Sequence, residues 1–296
     1  MNPYDANPEN IPESDLYSDI PSYGRYYPQA DDFVPDPKHI RSTTPESLVY
    51  WQSVLELCDT KAQIYDNPDG GRDVFALGSI IVKSSHLKPI LSGRRSTRDY
   101  SLADANEIKA TELARSILPD LIIPEIYFSG KIDNRDILVQ SRIPGVGLNV
   151  AWPYLSAEMK ESFKQQTRDV IIILSSYPSP LSEPSYLVPV LDPVAQRGIQ
   201  EKEKELLFGG PSTDDLTLMH NDLNQSNIIV DNDKIVAIID WEMAGYFGFK
   251  RAADVHVVIR SPKREGYASC NLPEEFFWDL LYWNDLYDFE TDKAKN

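Results

Sequence analysis

Four residues equipped for chemistry fall within one short stretch, Leu216 to Glu242: His220, Asp222, Asn227 and Asp240. The first three follow the pattern H-x-D-L-x-x-x-N. Together they offer one carboxylate that can take a proton, plus an amide oxygen and a second carboxylate that can hold a divalent cation. That set suits phosphoryl transfer, in which one Asp accepts the proton of an attacking hydroxyl while Asn and Asp hold Mg²⁺ against nucleotide phosphates.

Such groups act only if the chain brings them together. Ile228-Ile229-Val230 reads as a strand by its β-branched content. Asp231 to Lys234 is turn chemistry, and Ile235 to Ile239 is a second strand. The resulting hairpin holds Asn227 at its entrance and Asp240 at its exit, with Asp222 one loop away.

The pattern and the hairpin resemble the catalytic loop and metal-binding aspartate of the protein-kinase-like fold. Trp241-Glu242 follows Asp240 where a protein kinase carries Phe-Gly. This resembles the aminoglycoside phosphotransferase (APH) and choline-kinase branch of small-molecule kinases. Asn221 stands where that family usually carries Gly, and Asn accommodates left-handed backbone better than most residues. The resemblance implies an α+β, bilobal protein-kinase-like fold, with a small N-lobe of five antiparallel strands plus one helix and a larger, mainly helical C-lobe. It further implies Asp222 as base, Asn227 and Asp240 as Mg²⁺ ligands, His220 as a brace of the loop, and ATP as phosphoryl donor, with GTP as the alternative. The acceptor it implies is a hydroxyl of a small molecule.

Residues 1–45, rich in Pro, Asp, Tyr and Ser, read as an extended arm, docked on the body or on a partner. The N-lobe is expected over 46–143 and the C-lobe over 144–296. Thr44-Pro45 starts a helix with Leu48, Trp51, Val54 and Leu55 on its apolar side. Three short strands follow between Lys61 and Lys83, with turns at Asp69-Gly70-Gly71 and Gly78-Ser79. Lys83 closes the third and resembles the nucleotide-binding lysine of kinases.

Ser101 to Leu118 has a helical stripe of Ala103, Ala110, Leu113, Ala114 and Ile117, with a capping-box pattern at Ser101. Glu107 lies on that stripe and Glu112 does not. A charge on a core-facing stripe needs a partner, so Glu107 rather than Glu112 is expected to pair with Lys83. Two strands over 125–128 and 137–140 complete the five. The stretch Leu138 to Gly145 resembles the hinge of APH-like kinases, where the main chain of Ser141, Arg142 and Ile143 would meet the adenine edge. Helices are expected over 156–175, 196–207 and 273–289.

A net charge of −17 excludes the Lys/Arg surplus that nucleic acid or an anionic membrane surface demands. It fits either a cationic acceptor or a solvated acidic surface, and acids recur over Pro273 to Phe289 and at Asp254. Two cysteines make no disulfide framework, no apolar run reaches membrane-spanning length, and a cytoplasmic setting is expected. No G-x-G-x-x-G loop and no A-P-E-type motif is present. That sets a protein Ser/Thr kinase behind the small-molecule kinase. A non-catalytic nucleotide-binding regulator using the arm for partner contact is the third reading.

Overall fold

The computed structural model describes residues 25–68, 71–89, 98–209, 215–270 and 272–289. The arm before residue 25 and the Asp69-Gly70 part of the expected turn lie outside them. The elements, in chain order, are β1 (Arg25–Tyr26), α1 (Pro45–Glu56), β2 (Gln63–Tyr65), β3 (Asp73–Leu77), β4 (Ile80–Ser84), α2 (Ser101–Ile117), β5 (Ile126–Ile132) and β6 (Arg135–Ser141). Beyond the hinge come β7 (Gly145–Gly147), α3 (Leu148–Ala151), α4 (Ala157–Ser175), β8 (Ser185–Tyr186), α5 (Pro193–Arg197) and α6 (Glu201–Phe208). The chain ends with β9 (Leu218–Met219), β10 (Ile228–Asp231), β11 (Lys234–Ile238), β12 (Gly245–Tyr246), α7 (Phe249–Val255) and α8 (Glu274–Leu281).

Strands β2 to β6 form one antiparallel sheet in the order β2-β3-β4-β6-β5. Its apolar face meets α1, and Trp51, Val54, Phe75, Ile80, Phe128 and Val139 share a core there. The N-lobe therefore carries two helices, not one. Thr44 caps α1 by accepting from the Ser47 N–H. The expected capping box at Ser101 does not form: Asp99 instead accepts from the Ser101 N–H at 2.8 Å.

The second lobe has its own core under α4, with Phe163, Ile171, Leu174, Ile228, Ile238 and Trp241 fully buried. It is less helical than expected, because β1, β7, β10 and β11 make a four-stranded sheet and β8, β12 and β9 a three-stranded one. Gly198, at φ +67°, ends α5 and separates it from α6, where one helix was expected. The helix expected over 273–289 stops at Leu281. Arg168, buried in α4, draws the chain beyond it into turns by donating to the carbonyls of Asp285, Leu286 and Asp288. Carbonyls satisfied from outside have no need of a helix. No described helix is long and apolar enough to cross a membrane.

The sheets meet at the hinge. β6 ends at Ser141, and four residues later β7 pairs with β10 through Gly147↔Ile229 and Val146↔Val230. Gly145 makes that approach with φ +125°, and a Cβ there would lie 2.7 Å from the Val230 carbonyl oxygen. Gly145→Ala should therefore cost about 2–3 kcal/mol from backbone strain alone. Urea unfolding of the variant beside wild type measures this, and equal midpoints would show that the approach is slack.

Candidate active site

The loop from His220 to Asn227 owes its shape to a few side chains that replace regular backbone bonding. His220 is wholly buried; its Nε2 meets the Ile239 carbonyl at 3.1 Å and its Nδ1 accepts from the Asp222 N–H at 3.3 Å. Trp241 stands edge-on at 4.6 Å. Burial pushes its pKa down to about 4, so the ring is neutral and ties the loop to the strand that leads into Asp240. Asn221 takes the left-handed conformation at φ +62°, and its side chain donates to the Met243 carbonyl at 3.0 Å. That bond accounts for an Asn where the backbone alone would favour Gly.

Asp222 faces the cleft, its side chain 19 % exposed. Asn227 turns its amide N–H donors to the Asp222 carbonyl at 2.8 Å and to Oδ2 at 3.1 Å, and Asn224 donates to Oδ1 at 3.1 Å. Burial raises the Asp222 pKa to about 7, against the pull of Arg260 and the two amides. The Ile239 N–H donates to the Asn227 carbonyl at 3.0 Å, so the two ends of the β10–β11 hairpin are tied directly. Asp240 follows, itself left-handed at φ +63°.

Across the cleft, Lys83 reaches down from β4. Its ammonium lies 3.0 Å from Glu107 Oε2 and 2.8 Å from Asp240 Oδ1. Glu107 is fully buried on α2, and Glu112 is exposed. Burial lowers the Lys83 pKa, but Asp240 and Glu107 outweigh it and leave the net shift upward. Of the two carboxylates sharing this ammonium, Asp240 is pulled down on balance by Lys83, while Glu107 is pushed up by its burial.

Three further charged groups at the site had no role assigned from the sequence. Glu242 joins Glu107 and Asp240 so that carboxylate oxygens of all three lie within 4.8 Å of one another. Arg72 forms a buried pair with Asp104 at 2.7 Å, with Glu242 next at 3.9 Å. Arg260, on the π-turn after α7, grips Glu203 of α6 through both terminal nitrogens. Its Nε lies 3.1 Å from Asp222 Oδ1, an ion pair whose N–H direction misses the oxygen. In the sequence Glu203 is one of five alternating charges, Glu201 to Glu205, with nothing to mark it as buried, yet it is 2 % exposed.

A cavity of about 660 Å³ runs from the hinge to this cluster, lined by Ser141, Arg142 and Ile143 at one end and by Asp222, Asn227 and Asp240 at the other. The hinge residues differ in what they have free. Ser141 donates its N–H to the Glu125 carbonyl and Arg142 to the Ser79 carbonyl. The Ile143 N–H has no backbone partner among the described residues. The acids expected to border the acceptor are largely neutralised: Glu274 pairs with Arg264, Asp279 with Lys160, Asp285 with Lys164 and Asp254 with Lys250. His256 is a buried core histidine, 2.9 Å from the Trp283 carbonyl.

The neutral burial of His220 has a consequence for stability. Its folded pKa is lowered to about 4 from 6.5. Between those pH values the unfolded chain binds a proton that the folded chain refuses, so stability is lost as pH falls from 6.5 to 4. The loss approaches about 3 kcal/mol. His220→Asn lacks this contribution, and the wild-type unfolding free energy should fall more steeply than the variant's across that window. Parallel slopes in urea melts at pH 7 and 4.5 would contradict it.

Residues 183–247 match the model of the phosphotransferase enzyme family, APH. No curated protein matches the chain at a significant level. Among solved structures, the streptomycin–ATP–APH(2″)-IIa ternary complex is 12 % identical over 86 % of this chain and 84 % of that one, with a TM-score of 0.45. The gentamicin–APH(2″)-IIa complex is 13 % identical over 86 % and 84 %, with a TM-score of 0.47. The GDP and kanamycin complex of APH(2″)-IIIa is 12 % identical over 82 % and 85 %, with a TM-score of 0.46. At such values these structures assign no role to any residue here. Across 183–247, the segment that builds the loop of Asp222 and both ends of the β10–β11 hairpin, the chain carries the signature of the APH phosphotransferase enzyme family.

Proposed function

We propose that the protein is a nucleotide-dependent phosphotransferase that moves the γ-phosphoryl group of ATP, or of GTP, to a hydroxyl of a small molecule. The observation that carries this reading is the convergence of Asp222, Asn227, Asp240 and Lys83 on one cleft that continues to the hinge. The Ile143 N–H is the main-chain donor left for a base edge.

The donor set fits Mg²⁺. Asp240, Glu242 and the amide oxygen of Asn227 are hard oxygen ligands, and such a set suits Mg²⁺ rather than zinc or copper. When bound, Mg²⁺ neutralises the phosphates and orients them. The remaining work belongs to the chain. Asp222 accepts the proton of the acceptor hydroxyl as its oxygen bonds to the γ-phosphorus and the bond to the departing diphosphate breaks. Lys83, fixed by Glu107, positions the phosphates. In the structure Lys83 also satisfies Asp240, so its ammonium must shift from that carboxylate toward phosphate when nucleotide and cation enter.

For the acceptor, the net charge of −17 supports a cation, but the pairing of the acids around α8 removes most of the free carboxylates that would attract one. A small hydroxylated molecule is the reading that stands on the site itself.

Asp222→Asn should lower kcat by about 10²–10⁴-fold while ATP affinity stays near wild type, because general-base action is lost and the nucleotide is untouched. Asp240→Ala should abolish Mg²⁺-dependent ATP binding. Glu107→Ala should raise KM for ATP and lower kcat together, and Glu112→Ala should do neither. Turnover assays with a panel of hydroxyl compounds, beside a generic protein substrate, and calorimetric titration with ATP and Mg²⁺ check these four variants. Wild-type rates in both aspartate variants would sink the assignment.

A further inference from the structure

Residues ahead of α1 run as a strap from one lobe to the other alongside the hinge. At one end Arg25 and Tyr26 pair with Val146 and Gly145, which extends the sheet whose hairpin separates Asn227 from Asp240. At the other end the Phe33 carbonyl accepts from the Ser79 N–H at 3.0 Å and from the Ser79 hydroxyl at 2.8 Å. The contact is so close that a Cβ on Gly78 would lie 2.2 Å from the Phe33 nitrogen. Between these anchors Asp32 closes the bend, accepting from the Tyr26 hydroxyl and the Gln29 N–H, both at 2.8 Å. Further on, the Arg41 N–H donates to the Tyr127 carbonyl at 2.6 Å.

Tyr26 is the strap residue that reaches the cleft. It lines the same cavity as Lys83, Ile143 and Asp240, although it is only 7 % exposed. The Arg142 guanidinium lies over its ring, 4.2 Å from the centroid. Arg142 is fixed in turn to the N-lobe, by its N–H to the Ser79 carbonyl at 2.8 Å and its guanidinium to the Gly78 carbonyl at 3.4 Å. A tyrosine capped by a guanidinium is a flat, rigid wall of the kind that packs against a planar base. We propose that Tyr26 is an affinity-determining residue for the nucleotide. With Arg142 it forms the base-end wall of the cleft, and the strap fixes the two lobes at the spacing that wall requires. The proposal rests on the phosphotransferase reading of the cleft.

Calorimetric titration of the full chain with ATP, adenosine and inorganic tripolyphosphate, each with Mg²⁺, tests it. Tyr26→Ala should weaken ATP and adenosine by roughly five- to tenfold, the size of one lost aromatic contact, and leave tripolyphosphate unchanged. Tyr26→Phe keeps the ring and should restore ATP binding. An equal loss for all three ligands would reduce Tyr26 to a structural role, and unchanged ATP affinity in Tyr26→Ala would also overturn the proposal. A wild-type chain that binds none of the three ligands, nor GTP with Mg²⁺, overturns the phosphotransferase reading, and the proposal with it. If Tyr26→Ala does not fold, hydrogen exchange on wild type decides. ATP should slow exchange at the amides of residues 25–34, and unchanged exchange there would overturn the proposal.

Discussion

The arrangement of this site depends on one ammonium group shared by two carboxylates. Lys83 lies on the N-lobe sheet, Glu107 on α2 and Asp240 at the exit of a C-lobe hairpin, and the three meet within hydrogen-bond distance. Taking charges out of water is expensive, and the cost is recovered only if each charge is paired. Glu107 has no exposed surface at all, so the sheet, the helix and the hairpin must keep the spacing that lets Lys83 satisfy it. The same economy governs Arg72 with Asp104 and Arg260 with Glu203. Buried ion pairs of this kind add little net stability; the Lys83–Asp240 pair spans the two lobes, whereas Arg72–Asp104 and Arg260–Glu203 each lie within one.

How much of this was legible in the sequence depended on how local the signal was. The loop from His220 to Asn227 and the hairpin after it lie in one stretch, so residue spacing alone brought Asp222, Asn227 and Asp240 together. Glu107 was separable from Glu112 because a helix has a period, and a carboxylate on its apolar stripe must find a cation. Arg260 could not be read this way. Its partner Glu203 is 57 residues away, and neither falls on a periodic pattern that marks it. Arg72 and Asp104 are 32 residues apart and equally silent. Tyr26 was hidden for a different reason: a segment dense in proline and tyrosine has no period, and its pairing with β7 is a tertiary event.

The overestimated length of α8 shows the limit of periodicity. Phe276 to Leu286 carries enough apolar residues to continue a helix, yet the chain leaves it after Leu281. Arg168 offers donors to three carbonyls in one place, and this outcompetes the helical ladder. The split between α5 and α6 was at least marked in the sequence, by Gly198 in its left-handed conformation.

The β10–β11 hairpin places limits on how this chain can tolerate length changes. Asn227 and Asp240 stand at its open end, and Asp231 to Lys234 at its closed end. Residues added at the closed end lengthen a solvent-facing tip and leave the open end untouched. A single residue added within either strand, by contrast, turns every following side chain to the opposite face. In β10, after Ile228, it would turn Val230 out of the core, and in β11, before Ile238, it would turn out Ile238 and point Asp240 away from Lys83. The irregularity already present between Ile229 and Val230 is therefore part of the register that aims Asp240. Insertions should be accommodated at the tip of this hairpin and purged from its strands.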